Sequence, residues 1–337
     1  MSLSRARRWR AQVVDSRGKR RRSAPRALAL AVTLAVALLA GAAARAEPVV
    51  TLLRGAAADG SARFVEDLAQ LWRMSNGGEP SVLAQAAVAG PPEARLKALR
   101  RMRGDFAIVD APTLIARREA YPDLVAVAVL WPLALQVLTR RPEAVPLGEL
   151  PADAWVVAEN RPYALAMLAA LFPPAEGAAP AGQPGAGPSA RALAATLEQQ
   201  PAAVALVAGP VPVAEVEQAL AQVARLRLAP LARPLLERVR QLGPGFVPLT
   251  IPKTAYPNLP GAVETVGLNL VLVARLDLPP HLARRAVDAL YHLPAAAAYD
   301  PLFAALNPRA NAALAAVFPF HEAAAKALGL PTQAVEP

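Results

Sequence analysis

The 337-residue chain carries 36 Lys+Arg against 26 Asp+Glu, three His and no Cys, a length that at roughly 150 residues per domain suggests about two domains. Absence of cysteine excludes disulfides, thiolate catalysis and Cys-based zinc or iron–sulfur sites. The formal charge of +10 belongs to residues 1–46, which hold 11 Arg/Lys and one acid; the 25 basic and 25 acidic side chains of the remainder cancel, which argues against a phosphate-neutralising body and a nucleic-acid partner.

Residues 1–26 are polar and basic, ending in Lys19-Arg20-Arg21-Arg22 and Arg26. From Ala27 to Ala43 every residue except Thr33 is apolar or small, and Ala44-Arg45-Ala46 precedes Glu47-Pro48. A charged segment, an apolar segment and an A-x-A site together predict a signal peptide over 1–46. The apolar run exceeds the usual ~7–15 residues and falls short of the ~20 of a spanning helix, so an uncleaved anchor is the competing reading. On either reading the body from Glu47 onward is expected outside the cytoplasm, in the periplasm.

Strands and helices then alternate. Strands are predicted at Val49–Leu53, Ser81–Ala87, Asp105–Val109, Leu124–Leu130 and Leu133–Thr139, the last two separated by Trp131-Pro132. Helices are predicted at Arg63–Met74, Pro92–Arg103 and Pro112–Glu119. A second set follows: strand Ala154–Ala158, helix Pro162–Phe172, and a Pro/Gly/Ala loop over 173–189 that lacks the apolar residues to fold. Helices Ala190–Gln199, Val213–Val223 and Leu231–Gln241 interleave with strands Ala203–Ala208 and Leu226–Leu228. Strands Phe246–Ile251 and Thr265–Arg275, helix Pro280–Leu290 and Ala-rich helical segments complete the chain. The alternation predicts an α/β fold with mainly parallel sheets.

No G-x-S-x-G, Walker loop, H-E-x-x-H or G-x-G-x-x-G occurs. His281, His292 and His321 lie in the C-terminal helical region with no acidic partner at ligand spacing, and read as solvated or capping residues. No enzyme activity, metal or cofactor is therefore expected. Asp59-Gly60-Ser61 precedes a helix, where main-chain N–H groups can hold an anion; an ordinary turn and N-cap is the other reading. Asp110 and Arg161 each follow a predicted strand, where ligands of α/β sheets gather. Glu159-Asn160-Arg161-Pro162 opens a helix, so Arg161 can clamp a carboxylate, or simply face water as a loop charge.

The segment from Gly243 to Pro279 contains Thr250-Ile251-Pro252, Tyr256, Thr265-Val266-Gly267 and Leu276-Asp277-Leu278-Pro279. It resembles, almost residue for residue, the "T-I-P-x-x-x-Y" and "T-v-g" blocks of the TAXI group of TRAP-transporter solute receptors. Leu99–Asp110, Leu130–Arg140, Ala205–Pro212 and Phe320–Ala323 are weaker echoes in the same order. The resemblance implies a type II periplasmic-binding-protein fold, two α/β lobes joined by crossover strands with a ligand cleft between them. It places lobe 1 at 47–134 plus 247–337 and lobe 2 at 135–246. It implies capture of a small solute, an amino acid or organic acid, for TRAP-type membrane permease subunits.

Three ligand-facing segments depart from the family pattern. The opening G-G-x-x-G-x-Y-Y-P is replaced by Gly55–Phe64 without the Tyr pair and Pro. A Gly-Ser-Gly-Thr turn becomes Glu159–Pro162, and a Gln-Ser pair becomes Asp110-Ala111. The candidate ligand contacts are Asp59, Gly60, Ser61, Asp110, Asn160, Arg161 and Gly209. Asp110 points to a cationic group on the ligand and Arg161 to a carboxylate. The departures keep a second expectation open, a receptor-like protein that acts as a sensor or interaction partner without transport.

Overall fold

Two strands organise the rest of the molecule. β4 (Leu124–Thr139) and β9 (Val263–Arg275) run for 16 and 13 residues, against the ~5–6 of an ordinary strand. Both are buried almost end to end, and both read as near-continuous runs of Leu, Val and Ala because each face is covered. The structure, a computed structural model, describes residues 49–55, 61–75, 81–141, 155–157, 161–172, 190–200, 203–292 and 301–331. The expected leader 1–46 and loop 173–189 lie outside them. Among the described residues, no helix is long and apolar enough to cross a membrane.

The remaining strands are β1 (Val49–Arg54), β2 (Val82–Ala87), β3 (Phe106–Asp110), β5 (Trp155–Val157), β6 (Val204–Gly209), β7 (Arg227–Ala229) and β8 (Phe246–Ile251). Their order is β2-β1-β3-β9-β4-β6-β5, with β7 on β4 and β8 on β9. β1, β2 and β3 reach the far end of β9, where Phe106–Asp110 pairs with Ala274–Leu270. β6 instead pairs with the far end of β4, Ala134–Thr139. β4 therefore starts in one half of the sheet and finishes in the other, and β9 makes the return journey. An α/β sheet in two halves joined by two antiparallel crossovers is the type II periplasmic-binding-protein fold.

Two expectations need correction. The sheet is mixed: β1–β2, β1–β3 and β5–β6 are parallel, whereas every pairing of β4 with β6, β7 or β9, and of β9 with β3 or β8, is antiparallel. Strand–helix alternation reports local parallel neighbours but is blind to a strand that crosses between halves. The break at Trp131-Pro132 is also absent, because β4 passes through it. Proline has no N–H for the ladder and is tolerated in a strand at an irregularity. The β4–β9 register shifts between Val129 and Pro132, where the proline sits.

Helices α1 (Ser61–Met74), α2 (Pro92–Arg100), α3 (Ala111–Ala116), α4 (Arg161–Leu171), α5 (Ala190–Gln199), α6 (Ala214–Gln222), α7 (Arg233–Gln241), α8 (Pro280–Val287), α9 (Pro301–Ala304), α10 (Pro308–Ala315) and α11 (Glu322–Ala327) cover the sheet. A π-turn, Asp288–His292, extends α8. Alternation along the strands divides the core. One cluster joins Phe64, Trp72, Phe106 and Ile108 to Trp131, Leu135, Tyr163, Met167 and Leu206, spanning both halves of the sheet. On the opposite face Leu96, Leu99, Val109 and Phe318 serve the first half, and Leu197, Val207, Val216 and Ile251 the second.

Candidate functional site

Strand directions determine where a site can form. β3 runs antiparallel to β9, as does β4, so β3 runs with β4 and ends at Asp110 opposite Leu270. β6 runs against β4 and ends at Gly209 opposite Ala134, whose partner on β9 is Gly267. The carboxyl ends of β1 and β3 on one side, and of β5 and β6 on the other, thus face the same stretch of the crossovers. Leu270 and Gly267 are three residues apart on β9, roughly 10 Å at ~3.4 Å per residue. Open α/β sheets bind ligands beyond such strand ends.

Of the expected contacts, Ser61, Asp110, Arg161 and Gly209 fall within the described residues. Ser61 opens α1 beyond β1, and Arg161 opens α4 beyond β5. Asp59, Gly60 and Asn160 lie outside the described residues. Gly209 ends β6 with its Cβ position 2.6 Å from Val213 Cγ2, so packing alone requires glycine there. Asp110 is the last residue of β3 and the N-cap of α3: its Oδ1 accepts from the Thr113 N–H at 2.8 Å. Its Oδ2 is buried without a partner, and the residue is 1% exposed. Burial raises the Asp110 pKa, opposed by its hydrogen bonds at Thr113 and, more weakly, by the charge of Arg95.

Arg95 is not among the contacts that the sequence predicts. It is 2% exposed; its Nε donates to the Ile108 carbonyl at 2.6 Å and its Nη2 to the Tyr163 hydroxyl at 2.7 Å. The guanidinium ties α2 and β3, in the first half, to α4 in the second. The one trace in the sequence is an arginine beside Leu96 and four residues before Leu99, on a helix face that is otherwise apolar. Trp131, in sequence a strand break rather than a site residue, is fully buried at the irregularity of β4. Its ring lies 4.3 Å from Phe64, which in turn stacks 4.5 Å from Phe303. The Trp131 Nε1–H has no partner.

Asp110 alternates with Phe106 and Ile108, so it shares their face of the sheet, the face on which Trp131 packs. An unpaired acceptor and an unpaired donor thus occur on one face, and the charge of buried Arg95 acts on the acceptor. Leaving a buried polar group unsatisfied costs about 1–3 kcal/mol.

The opposite face is scaffold. The Tyr256 hydroxyl accepts from the Val213 N–H at 2.7 Å and donates to Gln136 Oε1 at 2.5 Å, pinning the turn after β6 onto β4. Burial pushes the Tyr256 phenol up to about 12. The Thr265 hydroxyl donates to the Leu135 carbonyl, and a Cβ on Gly267 would collide with Leu249. The block with the strongest family resemblance therefore builds the crossover rather than a ligand contact. His321 caps α11, its Nδ1 accepting from the Ala323 N–H at 3.2 Å, and its Nε2 lies 2.9 Å from the Leu278 carbonyl. Among the described residues, no group of three or more His, Asp or Glu is arranged to hold a metal ion.

Comparison with known proteins adds one sequence match. Residues 181–329 match the NMT1-like family, which is of periplasmic-binding-protein type. Among the described elements, the match covers β6 to β9, including the return crossover, and the helices from α5 to α11. A comparison with curated proteins gives no match. XAC2383 from Xanthomonas citri, solved with chloride, has a TM-score of 0.44 at 14% identity, covering 83% of this chain and 98% of that one. The tungstate-binding protein TupA from Desulfovibrio alaskensis G20 gives 0.44 at 12% identity, covering 73% and 91%. Full-length OxyR from Pseudomonas aeruginosa, in a point-substituted form, gives 0.42 at 9% identity, covering 79% and 80%. The fold assignment itself rests on strand order and the two crossovers.

Proposed function

We propose that the protein is a non-catalytic, extracytoplasmic solute-binding protein that takes a small amino-acid-like solute at the crossover. The observation that carries this reading is the unpaired Asp110 Oδ2, buried at the end of β3 beside Arg95. A carboxylate held in such a place at a cost in stability is an acceptor kept for a ligand cation. A ligand carboxylate would meet the main-chain N–H groups and Arg161 at the start of α4. Closure of the two halves on the solute would present one shape to a membrane partner. The leader-like segment 1–46 supports a periplasmic location. The Gly243–Pro279 block supports TAXI-type kinship and delivery to a TRAP-type permease.

A thermal-shift screen of the body from Val49 onward against amino acids and organic acids tests the reading. A ligand at 100 times its Kd stabilises by about 2.7 kcal/mol, a readily measured rise in Tm. The expected result is stabilisation by a zwitterionic amino acid that Asp110→Asn abolishes. A second reading has its own observation. Phe64, Trp131 and Phe303 pack ring to ring on the same face, and Arg95 bonds Tyr163 directly across the halves. That filling favours a receptor-like protein serving as a sensor or interaction partner, and a screen with no stabilising solute would support it.

A further inference from the structure

Away from the crossover, α8 and its π-turn present His281, Arg284, Asp288 and His292 along one wall of a cavity of about 490 Å³. Their spacings of three, four and four residues set them on one helical face. The opposite wall is α11, which contributes Ala323, Lys326 and Ala327, with Pro280 beside them. The volume falls within the ~300–1,000 Å³ of small-molecule sites. Four of the five ionisable side chains are basic types. The one acid, Asp288, lies between two of them, with Oδ2 3.7 Å from Arg284 Nε and Oδ1 2.9 Å from His292 Nδ1. Asp288 thereby engages both heads, and the Arg284 terminal N–H groups and His292 Nε2 are not taken up by these contacts. Lys326 reaches the same space from α11, and the two alanines and the proline form an apolar floor.

We infer that this cavity is a second binding site, separate from the crossover, for a small anion with two or more acidic groups, of the phosphate or polycarboxylate class. Arg284 supplies a planar fork for a pair of oxygens, Lys326 a point charge from the other side, and His292, as an imidazolium with Nδ1–H on Asp288, a hydrogen bond from Nε2. Asp288 is a positioning residue. The floor admits a short carbon skeleton, so a compact tricarboxylate fits the chemistry as well as pyrophosphate does.

Titration calorimetry of the body with pyrophosphate and with citrate tests this, at low and at physiological salt. Saturable binding of one equivalent is expected, weakened about tenfold or more in both Arg284→Gln and Lys326→Gln, since each removes a charge-assisted contact. Asp288→Asn is expected to weaken it less and to lower its enthalpy, as the two heads lose their orientation. Arg240→Gln, an exposed arginine paired with Glu237 on α7, is the control for net charge. Absence of saturable binding, or an Arg240→Gln loss equal to that of Arg284→Gln, would overturn the proposal. Asp110→Asn must leave this binding intact, which separates the outcome from that of the crossover site.

Discussion

At the scale of single residues, Asp110 sets function against stability. Burial raises its pKa above the ordinary carboxylate value, so between the unfolded and folded values the native state holds a proton that the unfolded chain has released. The stability this proton provides is present in full below the unfolded pKa and is lost as pH rises through the folded one. Asn keeps the cap on Thr113 without a charge. Asp110→Asn should therefore unfold at a higher temperature than the wild type at about pH 7, with the difference vanishing below the ~3.9 of an unperturbed Asp; equal Tm values at neutral pH would contradict the assignment of a burial penalty. Asp110 was legible in the sequence because it ends the run Phe106–Val109, and strand ends are where sites form. Arg95 was not, since an arginine in a helix defaults to a solvated face and its partners, Ile108 and Tyr163, lie 13 and 68 residues away. The Phe64–Trp131 contact was hidden by the same kind of separation.

Elements were more legible than their relations. Val49–Arg54, Ala190–Gln199 and Phe246–Ile251 fall within a residue of the runs that predict them, because apolar patterning and Pro/Gly punctuation act locally. The direction of β4 and β9 depends on which half each end joins, and no local pattern encodes that. The same distinction governs how elements are fastened. The end of α1 is held to α8 by Arg285, whose guanidinium donates to the Trp72 carbonyl at 2.7 and 3.0 Å, to Ser75 Oγ at 3.2 Å and to Ser81 Oγ at 2.8 Å, with its carbon 4.8 Å from the Trp72 ring centre. The cation rests at the negative end of the α1 dipole, which favours it there. Arg285→Met keeps the bulk and removes the donors, leaving buried acceptors unsatisfied. A loss of about 2–4 kcal/mol is expected in urea unfolding, with Arg285→Lys recovering only part, since an ammonium cannot reproduce the planar fork. An unchanged midpoint in Arg285→Met would remove this clamp from the account.

For the whole molecule, the question is whether the two halves of the sheet behave as one body. β4 and β9 belong to both, and the largest core cluster runs without interruption from α1 through Trp131 to α4 and β6. From Val49 onward the chain forms a single compact unit. The polar link across the same face is narrower, the Arg95–Tyr163 bond and the Ile108 carbonyl that anchors it. A shared apolar core makes unfolding cooperative, whereas the charged strap limits how far the halves can open before the core breaks. The two contributions separate by mutation. Wild-type body should unfold in one calorimetric transition. Tyr163→Phe removes the strap's acceptor while keeping the ring in the core, so it should retain that single transition with a Tm only modestly lower, by about 1–2 kcal/mol of stability. Its amide exchange should quicken at the starts of α2 and α4, which the strap holds towards each other, and not along β4 or β9. Two resolved transitions in the wild type would mean that the crossovers, not the core, join the halves. Exchange unchanged at both helix starts in Tyr163→Phe would mean that Arg95 braces β3 alone and that opening of the crossover site is governed by the Phe64–Trp131–Phe303 stack.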